Sequence, residues 1–149
     1  MNTTIVFLKD EQGDQQVINI LSEIISKAEV DKDYQNMAHR ITQAFKYLKD
    51  IGVPPKHLRS IQAESLDGFV ITLDKVVKEL CNHPPLMELR VNWNPVGAFR
   101  AIFFYFENGG HQKIIFTQAV IKEDTFSQPF EDAVRKSEVM LKEYFKNNL

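Results

Sequence analysis

Residues 84–122 read PPLMELRVNWNPVGAFRAIFFYFENGGHQKIIFTQAVIK, and this stretch decides the fold. A strand pattern ending in Leu89-Arg90-Val91 is followed by two strongly apolar runs, Phe99–Phe106 and Lys113–Ile121. Asn108-Gly109-Gly110 separates these two runs and predicts a β-hairpin, because Asn and Gly tolerate the positive φ angles of a tight turn. Both alternating faces of the hairpin strands are apolar. We therefore expect them in the centre of a sheet that is covered, at least in part, on both sides.

One arginine stands near the start of the most apolar run. Arg100 shares a strand face with Ile102 and Phe104, and an unpaired charge is costly to bury among such residues. Two explanations fit: Arg100 pairs with a nearby carboxylate at a strand end, or its guanidinium forks onto phosphate oxygens. The residues alone leave both explanations open.

Three further residues are candidates for the same site. Arg90 lies on the preceding strand and Lys122 closes the third one, although cations at such positions are often only solvated. His83 has a side chain suited to a general base, but a histidine before two prolines is more often an ordinary loop residue. No pair of His, Asp or Glu has the spacing of a metal site, so neither a metal nor a cofactor is expected.

The remaining elements follow from periodicity and capping. Thr3–Lys9 reads as a strand, and a helix is predicted after Asp14. Asp31 or Asp33 opens a second helix that ends at Gly52. Residues 56–83 are the least informative. They suggest a strand at 58–62, a turn at 66–68, an extended run at 69–73 and helical spacing over 72–80. The last helix is capped by Ser127, with Pro129 in its first turn.

Composition indicates one ordinary globular domain over residues 1–149, with 44% apolar and 26% charged residues. The single Cys81 excludes an internal disulfide and a cysteine-based zinc site. No apolar run has the length of a membrane span, and the N-terminus lacks the features of a signal peptide, so we expect the cytoplasm. Lys and Arg number 18 against 20 Asp and Glu, a net charge of −2 that lowers the expectation of tight, general nucleic-acid binding.

From about residue 85 onward, the chain resembles the RelE/HigB toxin superfamily, most closely its phage-derived HigB-like branch. The ordered parts that carry the resemblance are Met87-Glu88-Leu89-Arg90-Val91, Phe99-Arg100-Ala101-Ile102-Phe103-Phe104, Glu107-Asn108-Gly109-Gly110, Val120-Ile121-Lys122 and the helix from Pro129. The expected fold is α+β: a small twisted antiparallel sheet, an N-terminal helical hairpin on one face and the C-terminal helix alongside. Family chains are usually shorter over residues 56–83, which suggests an insertion there.

The resemblance implies a toxin of a type II toxin–antitoxin system, a ribosome-dependent mRNA endonuclease held inactive by a cognate antitoxin. It places the RNA-contacting, catalytic arginine at Arg100. From the residues themselves, we expect Arg90 and Lys122 to share the developing charge. RNA cleavage would then be metal-independent and leave a 2′,3′-cyclic phosphate. Two alternatives remain: a toxin-like protein that acts by binding another target, as gyrase-poisoning relatives do, and a phage or mobile-element protein that uses the scaffold for protein contacts only.

The chain departs from the family pattern at two places. Active members carry several basic residues after the last strand, whereas this chain has Glu123 and Asp124 there. Phe130 stands where some ribonuclease members place a tyrosine, and it has no hydroxyl. The segment therefore offers cations for phosphate but few groups for proton transfer.

Overall fold

The computed structural model describes residues 2–148, which form three long helices and two sheets. A short 3-10 helix, Lys56–Leu58, precedes the second strand. In chain order the elements are β1 (Asn2–Phe7), α1 (Gln16–Ala28), α2 (Lys32–Ile51), β2 (Ile61–Glu64), β3 (Val70–Leu73), β4 (Val77–Glu79), β5 (Met87–Trp93), β6 (Gly97–Asn108), β7 (His111–Lys122) and α3 (Gln128–Asn147). The α+β class expected from the sequence is confirmed. Over these residues, no helix is long and apolar enough to cross a membrane.

The main sheet has five strands in the order β1-β7-β6-β5-β4, while β2 and β3 form a separate two-stranded sheet. The expectation of an antiparallel sheet is wrong in one respect, because β1 runs parallel to β7 and the sheet is mixed. The rest of the fold joins β1 to β7, so no tight turn forces them to run antiparallel.

The predicted hairpin between β6 and β7 is present. Asn108 pairs with His111, so the loop consists of two residues, Gly109 and Gly110, with φ angles of 59° and 80°. Positive φ at both central positions is the geometry of a two-residue hairpin turn that glycine adopts without strain. β6 and β7 occupy central positions in the sheet, as the apolar character of both their faces predicts.

Helices cover both faces of the main sheet. Alternate residues of β6 divide between two cores: Phe99, Ala101 and Phe103 pack with α1 and α2, whereas Ile102 and Phe104 pack with α3. The C-terminal helix therefore lies on the face opposite the helical hairpin and not alongside it. The strand period of two separates the two sets, and each face needs its own apolar cover.

Residues 56–83 lengthen one sheet and build another. β4 adds an edge strand beside β5, and the 66–68 turn joins β2 to β3. The helix expected over 72–80 is wrong, because β3 and β4 occupy this region instead. A few apolar residues cannot distinguish a short helix from a short strand, and pairing with β5 decides the outcome here.

Two of the three predicted helix caps are confirmed. The Asp31 side chain accepts hydrogen bonds from the first turn of α2, and Ser127 accepts one from the backbone N–H of Phe130 in α3. Asp14 does not cap α1, which begins at Gln16 without a side-chain cap. Instead, the Asp10 carboxylate accepts the backbone N–H of Asp14 at 2.9 Å and so orders the loop before the helix.

Candidate functional site

Strand pairing brings three of the predicted site residues together. Arg90 of β5 lies directly opposite Arg100 of β6, and Lys122 at the end of β7 lies opposite Ala98. Positions 98 and 100 share the face of the sheet that α3 covers. The three cations line one cavity of about 420 Å³, which we call the cation cavity. Its other lining residues are Asn92, Asn94, Gly97, Ala98, Glu123, Asp124 and Thr125.

Arg100 combines the two explanations that its sequence position left open. The residue is only 7% exposed, and its Nη1 donates to the Asn92 Oδ1 and the Phe99 carbonyl oxygen, both at 2.9 Å. Its Nε lies 3.9 Å from a carboxylate oxygen of Glu88. Arg100 is therefore a nearly buried cation that has a loose ion pair on one side and the cavity on the other.

The pKa of Arg100 is lowered to about 10, mainly by burial and also by the neighbouring Arg90, while Glu88 opposes the change. A guanidinium with a pKa near this value stays protonated at neutral pH. The charge of Arg100 is thus held in a poorly solvated place, by hydrogen bonds that fix its direction. Such a preorganised cation interacts more strongly with an anion than a solvated side chain does.

Glu88 was not identified from the sequence. Its carboxylate is buried, and Oε1 lies 3.2 Å from the Arg90 Nε, which is itself buried and has no hydrogen-bond partner within residues 2–148. Burial raises the pKa of Glu88, and the nearby Arg100 and Arg90 act in the opposite direction. The spacing Glu88–Arg90 on one strand face was the available signal. Glu88 supplies the counter-charge beneath the two arginines.

Local contacts place Lys122 at the cavity rim. Its Nζ lies 4.8 Å from the centroid of the Phe130 ring, a distance suited to a cation–π interaction. Phe130 therefore positions a cation here, although it lacks the hydroxyl of a tyrosine. Gly97 permits the close approach of β6 and β7, since a Cβ at this residue would lie 2.8 Å from the Lys122 carbonyl oxygen.

Acidic residues share the same cavity. Glu123 and Asp124 follow directly after Lys122 and line the opening, where both are exposed. They are the only ionisable lining residues besides the three cations. With Glu88 beneath, three acids stand near three bases. The site is therefore a small group of cations with a similar number of acidic side chains around it, in agreement with the net charge of −2 for the whole chain.

His83 lies elsewhere. It is not among the residues that line the cation cavity, and its Nδ1 is paired with the Glu138 carboxylate on α3. This contact ties the loop between β4 and β5 to the C-terminal helix. Of the four predicted site residues, the structure brings Arg90, Arg100 and Lys122 together and leaves His83 outside the group.

The cavity offers polar and cationic groups for an oxyanion and shows no metal-binding set. Within residues 2–148, no group of three or more His, Cys, Asp or Glu side chains is arranged to hold a metal ion. No protein-family model, curated protein or solved structure matches this chain.

Proposed function

We propose that the cation cavity binds a backbone phosphate of RNA and that the protein is a translation-inhibiting toxin of the RelE/HigB type, acting as a ribosome-dependent mRNA endonuclease. The observation that carries this proposal is the convergence of Arg90, Arg100 and Lys122 on one cavity. Three cations around an oxyanion, one of them nearly buried and fixed by hydrogen bonds, suit a phosphate whose charge increases during reaction. The proposed family rests on the sequence resemblance of the chain from about residue 85 onward.

The chemistry we propose is an attack by the 2′-hydroxyl of the RNA on the adjacent phosphorus. The bond from O2′ to phosphorus forms, the bond to the leaving 5′-oxygen breaks, and a 2′,3′-cyclic phosphate remains. Arg100 and Arg90 stabilise the additional negative charge of the phosphorane, and Lys122 protonates the leaving oxygen. The sequence-based candidate for the base, His83, remains a prediction.

Glu123 or Asp124 is the proton acceptor that the cavity lining itself offers. A carboxylate is a weaker general base than an imidazole at neutral pH, because its affinity for the proton is lower. We therefore expect negligible cleavage of free RNA. On the ribosome, the reacting groups are held in position, and orientation contributes much of the rate.

A second candidate is a toxin-like protein that binds its target without cleaving RNA. The observation that favours it is the absence of an imidazole or a phenol from the cavity lining, together with the balance of acids and bases there. In this case the same three cations bind an acidic group on a protein such as gyrase. Under either function, we propose that a cognate antitoxin covers the cavity opening.

Induced expression in growing cells tests the proposal. The wild-type protein should arrest growth, and mapping of mRNA 5′ ends should reveal new cuts within translated regions. Arg100→Met should abolish both effects. Arg135→Met removes a well-exposed arginine of α3 that pairs only with Asp132, and it serves as the matched control that retains both effects.

The possible results separate the candidates. Growth arrest without new 5′ ends would favour the binding function, and no arrest from soluble wild-type protein would overturn the toxin proposal. Purified ribosomes programmed with mRNA provide the chemical test. In a parallel reaction, EDTA removes metal ions, and Mg²⁺ is then restored to the concentration that keeps the ribosomes intact. Cleavage of naked RNA at a comparable rate would contradict the requirement for the ribosome.

A further inference from the structure

The β2–β3 sheet lies outside the main sheet and has one face on the core. Ile61, Ala63, Ile71 and Leu73 point toward the core that α1 and α2 cover. The intervening residues face solvent. A two-stranded hairpin is marginally stable by itself, so this packing holds it in place. It stands on the opposite side of the main sheet from the cation cavity.

One edge of this small sheet is closed by a side chain. The Gln43 amide of α2 donates from Nε2 to the Glu64 carbonyl oxygen and accepts the Glu64 backbone N–H at Oε1, each at 2.7 Å. Glutamine thus makes the pair of bonds that a neighbouring strand would make. The β2 edge is thereby protected from pairing at Glu64.

The β3 edge has no such cover. The hydrogen bond from the Ser65 N–H to the Phe69 carbonyl oxygen sets the alternation of the ladder, so the backbone groups of Val70 and Thr72 point away from β2. Over residues 2–148, these groups have no protein hydrogen-bond partner. Two apolar side chains at this edge are largely exposed, Phe69 at 71% and Val70 at 73%.

Charge identifies the kind of strand that suits this edge. Residues 60–74 contain Glu64, Asp67 and Asp74 but no Lys, Arg or His. A second copy of the chain paired at β3 would bring three acids of each hairpin together, with Lys75 as the first base after β3, so the charge balance of such a dimer is unfavourable. A segment with basic side chains would be attracted instead.

We propose that the β3 edge binds, as an added strand, an extended segment of a partner protein that carries apolar and basic side chains at alternate positions. The backbone groups of Val70 and Thr72 pair with the segment, and Phe69 and Val70 contact its apolar side chains. Glu64 and Asp67 attract its basic ones. This site is separate from the cation cavity and goes beyond the proposed toxin activity.

Two synthetic peptides test the proposal: an acetylated, amidated heptapeptide of alternating Lys and Val, and its Glu–Val counterpart. The Lys–Val peptide should bind the intact protein, shift the backbone amide resonances of Val70 and Thr72, and slow their exchange with solvent. The Glu–Val peptide should bind at least about tenfold more weakly, as should a Lys–Val peptide with alternate backbone amides methylated.

Variants of the protein locate the contact. Val70→Lys should weaken binding of the Lys–Val peptide by about tenfold or more, because it removes an apolar contact and adds a like charge. Val139→Lys, at another exposed valine on α3, is the matched control and should leave binding unchanged. Slow solvent exchange retained at the Ala63 and Ile71 amides, which pair across the hairpin, shows that the hairpin of Val70→Lys is folded.

Four results would overturn the proposal. These are the absence of saturable binding at about 1 mM peptide, equal binding of the acidic peptide, equal binding of the methylated peptide, and shifts that lie outside β3. Peptide binding is measured at the Val70 and Thr72 amides of β3, whereas growth arrest and mRNA cleavage report on the cation cavity, so the two proposals are scored independently. A negative result with the peptides would not contradict the proposed toxin function. A negative result for toxin function would not contradict strand binding at the β3 edge, which the same peptides would still test.

Discussion

Arg100 is costly to bury and is retained in a place where only Asn92, Phe99 and Glu88 offset that cost. An ion pair at 3.9 Å is loose, and buried pairs of this kind contribute little to stability. The lowered pKa of Arg100 has the same cause, since burial disfavours the charged form. A buried charge that stabilises the fold little and lies beside a cavity is available for the anion binding that we propose.

Arg100→Met is therefore expected to separate stability from binding. The apolar side chain removes the burial penalty of the guanidinium, but the buried Glu88 carboxylate keeps Arg90 as its remaining ion-pair partner, so the free energy of unfolding should fall by no more than about 1–3 kcal/mol. Binding of a short RNA oligonucleotide should weaken by about ten- to a hundredfold, since a hydrogen-bonded charge contributes about 1.5–3 kcal/mol.

Chemical denaturation and fluorescence anisotropy measure the two effects of Arg100→Met. Arg100→Lys is the informative companion, because an ammonium cannot reproduce the planar fork of the guanidinium and should not restore binding. A large loss of stability in Arg100→Met, with unchanged binding, would show that Arg100 is structural.

At the scale of elements, a buried hydroxyl pair joins α3 to the sheet. Thr117 is the extra residue where the pairing between β6 and β7 shifts register, and its Oγ1 lies 2.6 Å from the Ser137 Oγ. The same hydroxyl also bonds to the Ile102 carbonyl oxygen at 3.1 Å. Both hydroxyl-bearing residues are fully buried, and the Ser137 hydroxyl depends on Thr117 to avoid being an unsatisfied polar group.

Thr117→Val should lower the free energy of unfolding by about 1–3 kcal/mol, because it leaves the Ser137 hydroxyl and a buried carbonyl without this partner. The double variant Thr117→Val/Ser137→Ala should lose less than the sum of the two single losses, with a coupling energy of about 1 kcal/mol. Urea denaturation of the four proteins gives the cycle. Strict additivity would mean that the two hydroxyls do not depend on each other.

An ion pair between Arg59 and Glu79 connects the segment before β2 to β4. The Arg59 Nη1 donates to the Glu79 carboxylate at 2.7 Å, and this bond is the main reason that the pKa of Glu79 falls to about 2. A carboxyl with a depressed pKa in the folded state contributes stability at pH values above its unfolded pKa. That contribution is lost as pH falls through the folded pKa.

The window for Glu79 therefore lies between about pH 4.5, the ordinary value, and about pH 2. Glu79→Gln should flatten the decrease of stability over this range, and the effect should be modest because the side chain is half exposed. Thermal unfolding at several pH values measures it. Glu143→Gln on α3 is the control, and an identical acid profile for Glu79→Gln and the wild type would contradict the assignment.

At the scale of the whole molecule, the net charge of −2 limits how RNA is bound. With three cations at the cavity, at most about three phosphates are neutralised, which gives a slope near −2 for log affinity against log salt on a single strand. Arg100→Met should reduce the magnitude of this slope by about 0.7. Titrations at several salt concentrations measure both values. A much steeper slope would indicate a broad cationic surface that this cavity does not explain.

Turns and helix starts could be predicted from the sequence, because the residues that specify them are neighbours in the chain. Gly109-Gly110 specifies a tight turn through backbone conformation, and Asp31 and Ser127 specify helix starts through hydrogen bonds to the nearest N–H groups. The apolar character of both faces of β6 and β7 indicated central strands. These features depend on residues that are close in the chain.

Tertiary structure alone decided what depends on pairing between distant segments. The parallel pairing of β1, the position of α3 on the opposite face and the strand β4 in place of a helix all follow from contacts that no local pattern encodes. The position of Glu88 in the site likewise depends on pairing between distant segments. Its neighbour Arg90 was visible in the sequence, but its approach to Arg100 arises from the register of β5 on β6. Register, unlike a turn or a cap, is a property of the assembled sheet.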